Sequence, residues 1–127
     1  MGHYLSMSDL KGKILKSWSK GYDHGEILFT MDFEDGDSFA FVHYQDCCES
    51  VWLDDICGDM NNLIGDEILL AEERSEDCEE ASESGTWTFY KLGTVKDRVT
   101  LTFRGESNGY YSESVDLVDM SKKRWDY

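Results

Sequence analysis

The stretch that decides the fold is Ile27–Tyr44, which reads ILFTMDFEDGDSFAFVHY. In its first half the apolar residues recur at every second position, which is the period of a strand with one buried face. A second apolar run, Phe39–Tyr44, follows the polar residues Glu34–Asp37. Because Asp-Gly between two such runs is a strong local signal for a hairpin, the stretch predicts two antiparallel strands that turn at Gly36.

Strand signals continue outward from this hairpin. Runs of alternating or β-branched residues predict strands at Val51–Ile56, Ile68–Ala71, Thr86–Tyr90, Val99–Phe103 and Tyr110–Val118, and an edge strand within Lys11–Lys20. We expect helical turns only near Asp9 and Met60, the second capped by Asp59 and closed by Gly65. The sequence predicts a mainly β fold with minimal helix. The expected form is a single antiparallel meander sheet, curled into a barrel-like or two-layer arrangement.

The length of 127 residues fits one domain, which can bury a core of its own. We expect a single β-rich domain over residues 1–120 with an acidic loop at about 72–85, and a C-terminal tail over 121–127. The first residues lack a basic region followed by an apolar run, and no stretch approaches the roughly 20 apolar residues of a membrane helix. We therefore expect a soluble, cytoplasmic protein with no membrane partner.

Four cysteines are present, and two of them, Cys47 and Cys48, are adjacent. Because nothing else in the sequence indicates export, we expect all four thiols, including Cys57 and Cys78, to be reduced.

Charge is the most unusual property of the chain. The net charge is −15, and 18 of the 27 acidic residues lie between Asp32 and Glu83, where Arg74 is the single basic residue. A segment this acidic projects a negative electric field from the protein surface. This field attracts cationic surfaces and repels phosphates, so we expect a basic partner and no direct contact with nucleic acid. The residues expected to bind the partner are Asp32, Glu34, Asp35, Asp37, Asp54, Asp55, Asp59, Glu72, Glu73, Glu76, Asp77, Glu79 and Glu80.

Other chemistry finds less support in the sequence. No phosphate-binding loop, Gly-x-Ser-x-Gly or His-Glu-x-x-His motif is present, so we expect no catalytic residues and no cofactor. Cys47 and its neighbouring carboxylates are of the types that bind zinc and calcium. The cysteine spacing is wrong for zinc and the acidic spacing is wrong for an EF-hand, so we expect no metal. An alternative pocket would be built from His43, Asp46, Cys47, Glu49, Glu106, Asn108 and Tyr110.

Several stretches resemble one family. They are HYQDCCESV at His43–Val51, DDICGD at Asp54–Asp59 with LIG at Leu63–Gly65, TWTFYKL at Thr86–Leu92, and GESNGYYSESV at Gly105–Val115. Together they are similar to an uncharacterised family of short proteins from phages and bacterial genomes, over about residues 10 to 118. The resemblance implies a phage or prophage accessory protein and implies no activity.

The charge and the resemblance together lead to one hypothesis. The chain is expected to be a non-enzymatic phage protein that inhibits a host nucleic-acid-binding protein, such as a defence effector or a polymerase, through an acidic surface that imitates DNA. Two alternatives stay open: a small ligand- or metal-binding β-barrel, and a virion or assembly component whose sheets mediate oligomerisation.

Overall fold

The computed structural model describes residues 3–21, 26–43, 50–77, 84–107 and 115–120. Within these residues the chain forms nine strands and two short 3₁₀ turns, Met7–Leu10 and Met60–Leu63. The strands are β1 (His3–Leu5), β2 (Leu15–Lys20), β3 (Ile27–Phe33), β4 (Ser38–Val42), β5 (Ser50–Cys57), β6 (Leu70–Asp77), β7 (Ser84–Gly93), β8 (Arg98–Ser107) and β9 (Asp116–Asp119). None of the helical segments in this part of the chain is long and apolar enough to cross a membrane.

The strands form two antiparallel sheets. The first sheet has the order β1-β9-β4-β3-β2, and the second has the order β5-β8-β7-β6. Their inner faces share one core, because Phe41 of the first sheet lies 4.4 Å from Tyr90 and 5.5 Å from Phe103 of the second, measured between ring centroids. Two sheets that bury one face each against the other make a sandwich.

The prediction of a mainly β, antiparallel, two-layer fold with minimal helix is confirmed. The described strands form two sheets rather than one meander sheet, and among them no barrel closes. The first sheet ends at β1 and β2 and the second at β5 and β6, so neither closes on itself. The physical reason is that β9 pairs with both β1 and β4, which joins the two ends of the chain in the first sheet and leaves β5–β8 to form their own.

The central hairpin has the predicted form. Met31 of β3 pairs with Phe39 of β4, and both are buried. Gly36 has φ +94°, in the left-handed region that glycine enters without steric cost, and the turn is closed by a 2.9 Å hydrogen bond from the Phe33 amide to the Asp37 carbonyl.

Two further local predictions are confirmed, and one differs. The basic segment forms β2 at the edge of the first sheet. The helical turns begin at Met7 and Met60, and Asp59 caps the second by accepting a 2.9 Å hydrogen bond from the Asn61 amide. The acidic segment that the sequence predicts as a loop over residues 72–85 differs in part, because residues 72–77 belong to β6 and residues 84–85 to β7, while 78–83 lie outside the described residues. The backbone of residues 72–77 pairs with β7, which outweighs the weak strand preference of glutamate.

Candidate protein-binding surface

The acidic residues at the tip of the β3–β4 hairpin bind other parts of the first sheet. Asp35 and Asp37 each accept a 2.6 Å hydrogen bond from Lys13 Nζ. That ammonium also lies 5.4 Å from the ring centroid of Phe33 and 5.0 Å from that of Phe39. Two carboxylates of the predicted partner-binding set therefore already share one lysine within the protein.

The contacts within this cluster stabilise the charged forms of Lys13 and Asp35. Burial opposes the charge of Lys13, but its hydrogen bonds to the two carboxylates outweigh burial and raise its pKa above the ordinary value of 10.5. The hydrogen bond from Lys13 likewise lowers the pKa of Asp35 below its ordinary value of 3.8. The Lys13 ammonium and the Asp35 carboxylate are therefore both charged at neutral pH.

Asp32 also has a local structural contact. Its carboxylate accepts hydrogen bonds from Ser38 Oγ at 2.7 Å and from Ser17 Oγ at 3.2 Å, which ties β3 to both of its neighbours. The side chain of Glu34 is exposed. Of the four predicted residues at this tip, Glu34 is therefore the best placed to meet a partner.

Asp54 and Asp55 lie on β5, at one edge of the second sheet. The pairing of β5 with β8 shifts between Leu53 and Asp55, so Asp54 is the extra residue of a β-bulge. Both aspartates are exposed. We call them the β5 acidic edge. Asp59 follows this strand, but its carboxylate caps the 3₁₀ turn, so part of its role is structural.

Glu72, Glu73 and Glu76 are exposed on β6, at the opposite edge of the same sheet, and we call Glu72 and Glu76, which share one phase of the strand, the β6 acidic edge. Only the backbone of Asp77 is described, and Glu79 and Glu80 lie outside the described residues. Three strand spacings separate β6 from β5, which corresponds to roughly 14 Å. The fold thus brings residues 54–55 and 72–76 to the two borders of one four-stranded surface.

Glu73 differs from Glu72 and Glu76 in its electrostatic surroundings. Partial burial raises the pKa of Glu73 above its ordinary value of 4.5, and the nearby charge of Asp116 raises it further. Burial raises the pKa of the Tyr90 phenol, and the charges of Glu73 and Asp116 raise it further. Glu73 therefore faces the first sheet, whereas Glu72 and Glu76 belong to the outer face of the second.

Between the two acidic edges lies a group of aromatic and arginine side chains that the sequence reasoning missed. Arg104 on β8 pairs in register with Trp52 on β5 and with Trp87 on β7. Its guanidinium carbon lies 6.0 Å from the Trp52 ring centroid and 4.9 Å from that of Trp87. Arg74 on β6 lies 5.2 Å from the ring centroid of Phe89.

We call Trp52, Arg74, Trp87, Phe89 and Arg104 the aromatic face. The Trp87 and Phe89 rings stack with centroids 6.4 Å apart, and the three rings are all partly exposed. A sequence signal for this face exists. Trp87 and Phe89 share one phase of the strand, and the buried Thr88 and Tyr90 share the other, so both faces of β7 carry large side chains.

Both arginines of the aromatic face have acidic partners. Arg104 lies 2.7 Å from Glu106 and Arg74 lies 3.4 Å from Glu76. The Nε of Arg104 is buried, and among the described residues it has no hydrogen-bond acceptor. The guanidinium is held instead between two indole rings, whose faces attract cations. Because these arginines are paired with Glu106 and Glu76, they do not compensate the negative charge of Asp54, Asp55 and Glu72.

Two shallow depressions cross this surface. One, of about 420 Å³, is lined by Glu72, Glu73, Arg74, Phe89 and Lys91. The other, of about 440 Å³, is lined by Leu70, Glu72, Lys91, Arg98, Val99 and Thr100. Glu72 and Lys91 line both, so the two depressions adjoin. The first combines two carboxylates and an aromatic ring with two cations, Arg74 and Lys91, so its lining carries no net formal charge.

The alternative pocket cannot be assembled from the described residues. His43 is buried at the end of β4 in the first sheet, and Glu106 lies on β8 of the second. Asp46, Cys47, Glu49, Asn108 and Tyr110 lie outside the described residues, so this pocket stays a prediction. Cys57 is exposed and forms no disulfide, while the other three cysteines are not described. Within the described ranges no three His, Cys, Asp or Glu residues are grouped as metal ligands.

Residues 8–117 match a family described as a domain of unknown function, DUF7448. No curated protein and no solved structure matches the chain.

Proposed function

The chain belongs to the DUF7448 family of unknown function, and for this member we propose a non-enzymatic role as an acidic protein that binds a basic, nucleic-acid-binding protein of the host cell. In this proposal the chain is a phage accessory protein in the host cytoplasm. It inhibits its partner by occupying the surface that would otherwise contact nucleic acid.

One observation carries the proposal: the carboxylates of the β5 and β6 acidic edges border one exposed surface of a chain with net charge −15. The rows are separated by roughly 14 Å, which is comparable with the width of about 12 Å of the DNA major groove. A basic protein that binds the two phosphate rows of a duplex would meet two rows of carboxylates at a similar spacing. Long-range attraction of this kind speeds association and weakens with salt.

The structure changes which acidic residues we assign to binding. Asp32, Asp35, Asp37 and Asp59 have hydrogen-bond partners within the protein. Asp54 also accepts a 3.3 Å hydrogen bond from Trp52 Nε1, and Glu76 is paired with Arg74. The exposed residues Glu34, Asp55 and Glu72 would therefore carry most of the contact. A partner would have to replace an existing ion pair to bind Asp35 or Asp37, which makes those contacts weaker.

Affinity capture from host lysate at low and at moderate salt, followed by mass spectrometry, tests the proposal. The unmodified protein should retain a basic nucleic-acid-binding protein at low salt and lose much of it at moderate salt. The D54K/D55K variant should lose that protein at both concentrations. A matched control, E26K/E67K, changes the net charge equally at two exposed positions away from the two acidic edges and should retain it. Equal capture by D54K/D55K and the unmodified protein would contradict the proposal.

A further inference from the structure

The two acidic edges enclose a surface with unusual chemistry. Charged carboxylates alone give steering but little selectivity, whereas tryptophan and arginine supply most of the anchoring energy at protein interfaces. Trp52, Trp87 and Phe89 are partly exposed between the two edges. The acidic edges and the aromatic rings therefore belong to one continuous surface.

The internal contacts of the protein indicate which side chain these rings receive. Arg104 and Arg74 already place guanidinium groups at 4.9 Å and 5.2 Å from the centroids of Trp87 and Phe89. The planar guanidinium is more weakly hydrated than the ammonium of lysine and stacks on aromatic rings, so it loses less on leaving water. A ligand side chain that stacks on these rings in the same way as Arg104 and Arg74 would be an arginine.

We propose that the aromatic face is the docking surface for an arginine-containing, extended segment of the basic partner, whose guanidinium groups stack on Trp52, Trp87 and Phe89 while carboxylates of the two acidic edges pair with them. This inference rests on the proposed function and specifies the chemistry of its partner.

Charge complementarity favours this occupant over single-stranded nucleic acid, whose bases also stack on aromatic side chains of β-sheets. Nucleic acid would have to bring its phosphates between two rows of carboxylates on a chain with net charge −15. Arg74 and Arg104 are paired with Glu76 and Glu106, so Lys91 and Arg98, which line the second depression, are the cations of this surface that could attract a phosphate.

Fluorescence anisotropy with three labelled probes tests the inference. The probes are a decapeptide of alternating Arg and Ser, its Lys-Ser counterpart of equal charge, and a twelve-nucleotide oligothymidine. We expect the arginine peptide to bind about tenfold more tightly than the lysine peptide, and oligothymidine not to bind. In the W52V/W87V variant the two peptides should bind within about twofold of each other. The control variant W18F should keep the preference for arginine, because Trp18 lies on β2 of the other sheet.

A second measurement does not depend on the folding of the variants. In the nuclear magnetic resonance spectrum of the unmodified protein, the arginine peptide should shift the indole N–H signals of Trp52 and Trp87. It should leave that of Trp18 in place, since Trp18 lies on β2 of the first sheet.

The possible outcomes separate the inference from the proposed function. Equal affinity for the two peptides, or unshifted signals of Trp52 and Trp87, would overturn the docking inference and leave the acidic binding function standing. Binding of oligothymidine in competition with the arginine peptide would instead identify a nucleic-acid-stacking surface. Failure of both peptides to bind, even at low salt, would count against the proposed function itself.

Discussion

The hydroxyl of Tyr90 donates a 3.0 Å hydrogen bond to the backbone carbonyl of Val115. Tyr90 lies on β7 of the second sheet, and Val115 directly precedes β9 of the first. The bond is buried, so it is a polar link across the core of the sandwich. It also fixes the start of β9, the strand that pairs with both β1 and β4.

Replacing Tyr90 with phenylalanine should destabilise the protein by about 1–2 kcal/mol, because the Val115 carbonyl would be buried without its donor. The ring and its contacts with Phe41 and Phe103 are retained, so the loss should come from the hydroxyl. Urea unfolding, with the denaturant dependence unchanged, measures the difference. Stability equal to that of the unmodified protein would mean that water satisfies the carbonyl.

The Lys13→Met variant should be less stable by about 1 kcal/mol at neutral pH, because the carboxylates of Asp35 and Asp37 would lose their common cation. Methionine keeps apolar contact with Phe33 and Phe39. The lowered pKa of Asp35 means that its contribution is present above the ordinary value of 3.8 and is lost as pH falls through the folded-state pKa. The raised pKa of Lys13 means that its contribution is lost only as pH rises through a value above 10.5. Thermal unfolding across this range should show the largest difference between these limits, and a difference that persists at pH 2 would contradict the assignment.

The Glu73→Gln variant should be slightly more stable at neutral pH, by roughly 0.5 kcal/mol or less, because Glu73 is largely exposed. Its raised pKa shows that the folded state disfavours the charged form, through burial and the charge of Asp116. The unmodified protein gains stability relative to the variant as pH falls through the folded-state pKa. The advantage of the glutamine should therefore disappear below the ordinary value of 4.5, which paired melting curves at pH 7 and pH 3.5 would reveal.

Removing the cap of the second 3₁₀ turn should also have a measurable cost. Asp59→Ala removes the acceptor of the Asn61 amide and should lower stability by about 1 kcal/mol. Asp59→Asn, which keeps an acceptor oxygen and removes the charge, is the matched control and should lose less. If both variants lose the same amount by urea unfolding, then the charge of Asp59 matters and its hydrogen bond does not.

Two glycines with positive φ allow a paired test of backbone geometry. Gly36, at φ +94°, has open space where a Cβ would lie, so Gly36→Ala should cost about 1 kcal/mol for the backbone conformation alone. Gly58, at φ +110°, would place a Cβ 2.8 Å from the backbone carbonyl oxygen of Arg98. Gly58→Ala should therefore cost at least about 1 kcal/mol more. Similar losses in thermal unfolding would show that β5 and β8 separate easily at that end.

Several features of the fold could be predicted from the sequence because they depend on neighbouring residues. The Asp-Gly turn at Gly36, the cap at Asp59, and the buried phase of Val99, Leu101 and Phe103 follow from local backbone and side-chain chemistry. The concentration of negative charge also belongs to the sequence, since it is a matter of composition.

The tertiary structure decided which strands lie side by side. Alternation shows that a strand has a buried face, but it does not identify the neighbour whose backbone groups complete its hydrogen bonds. The pairing of β5 with β8 placed Trp52 against Arg104, and the pairing of β7 with β8 placed Trp87 on the other side of it. Likewise, Lys13 reaches Asp35 and Asp37 across 22 and 24 residues. Such contacts depend on long-range pairing and on the competition of all buried faces for one core, which no short stretch of sequence contains.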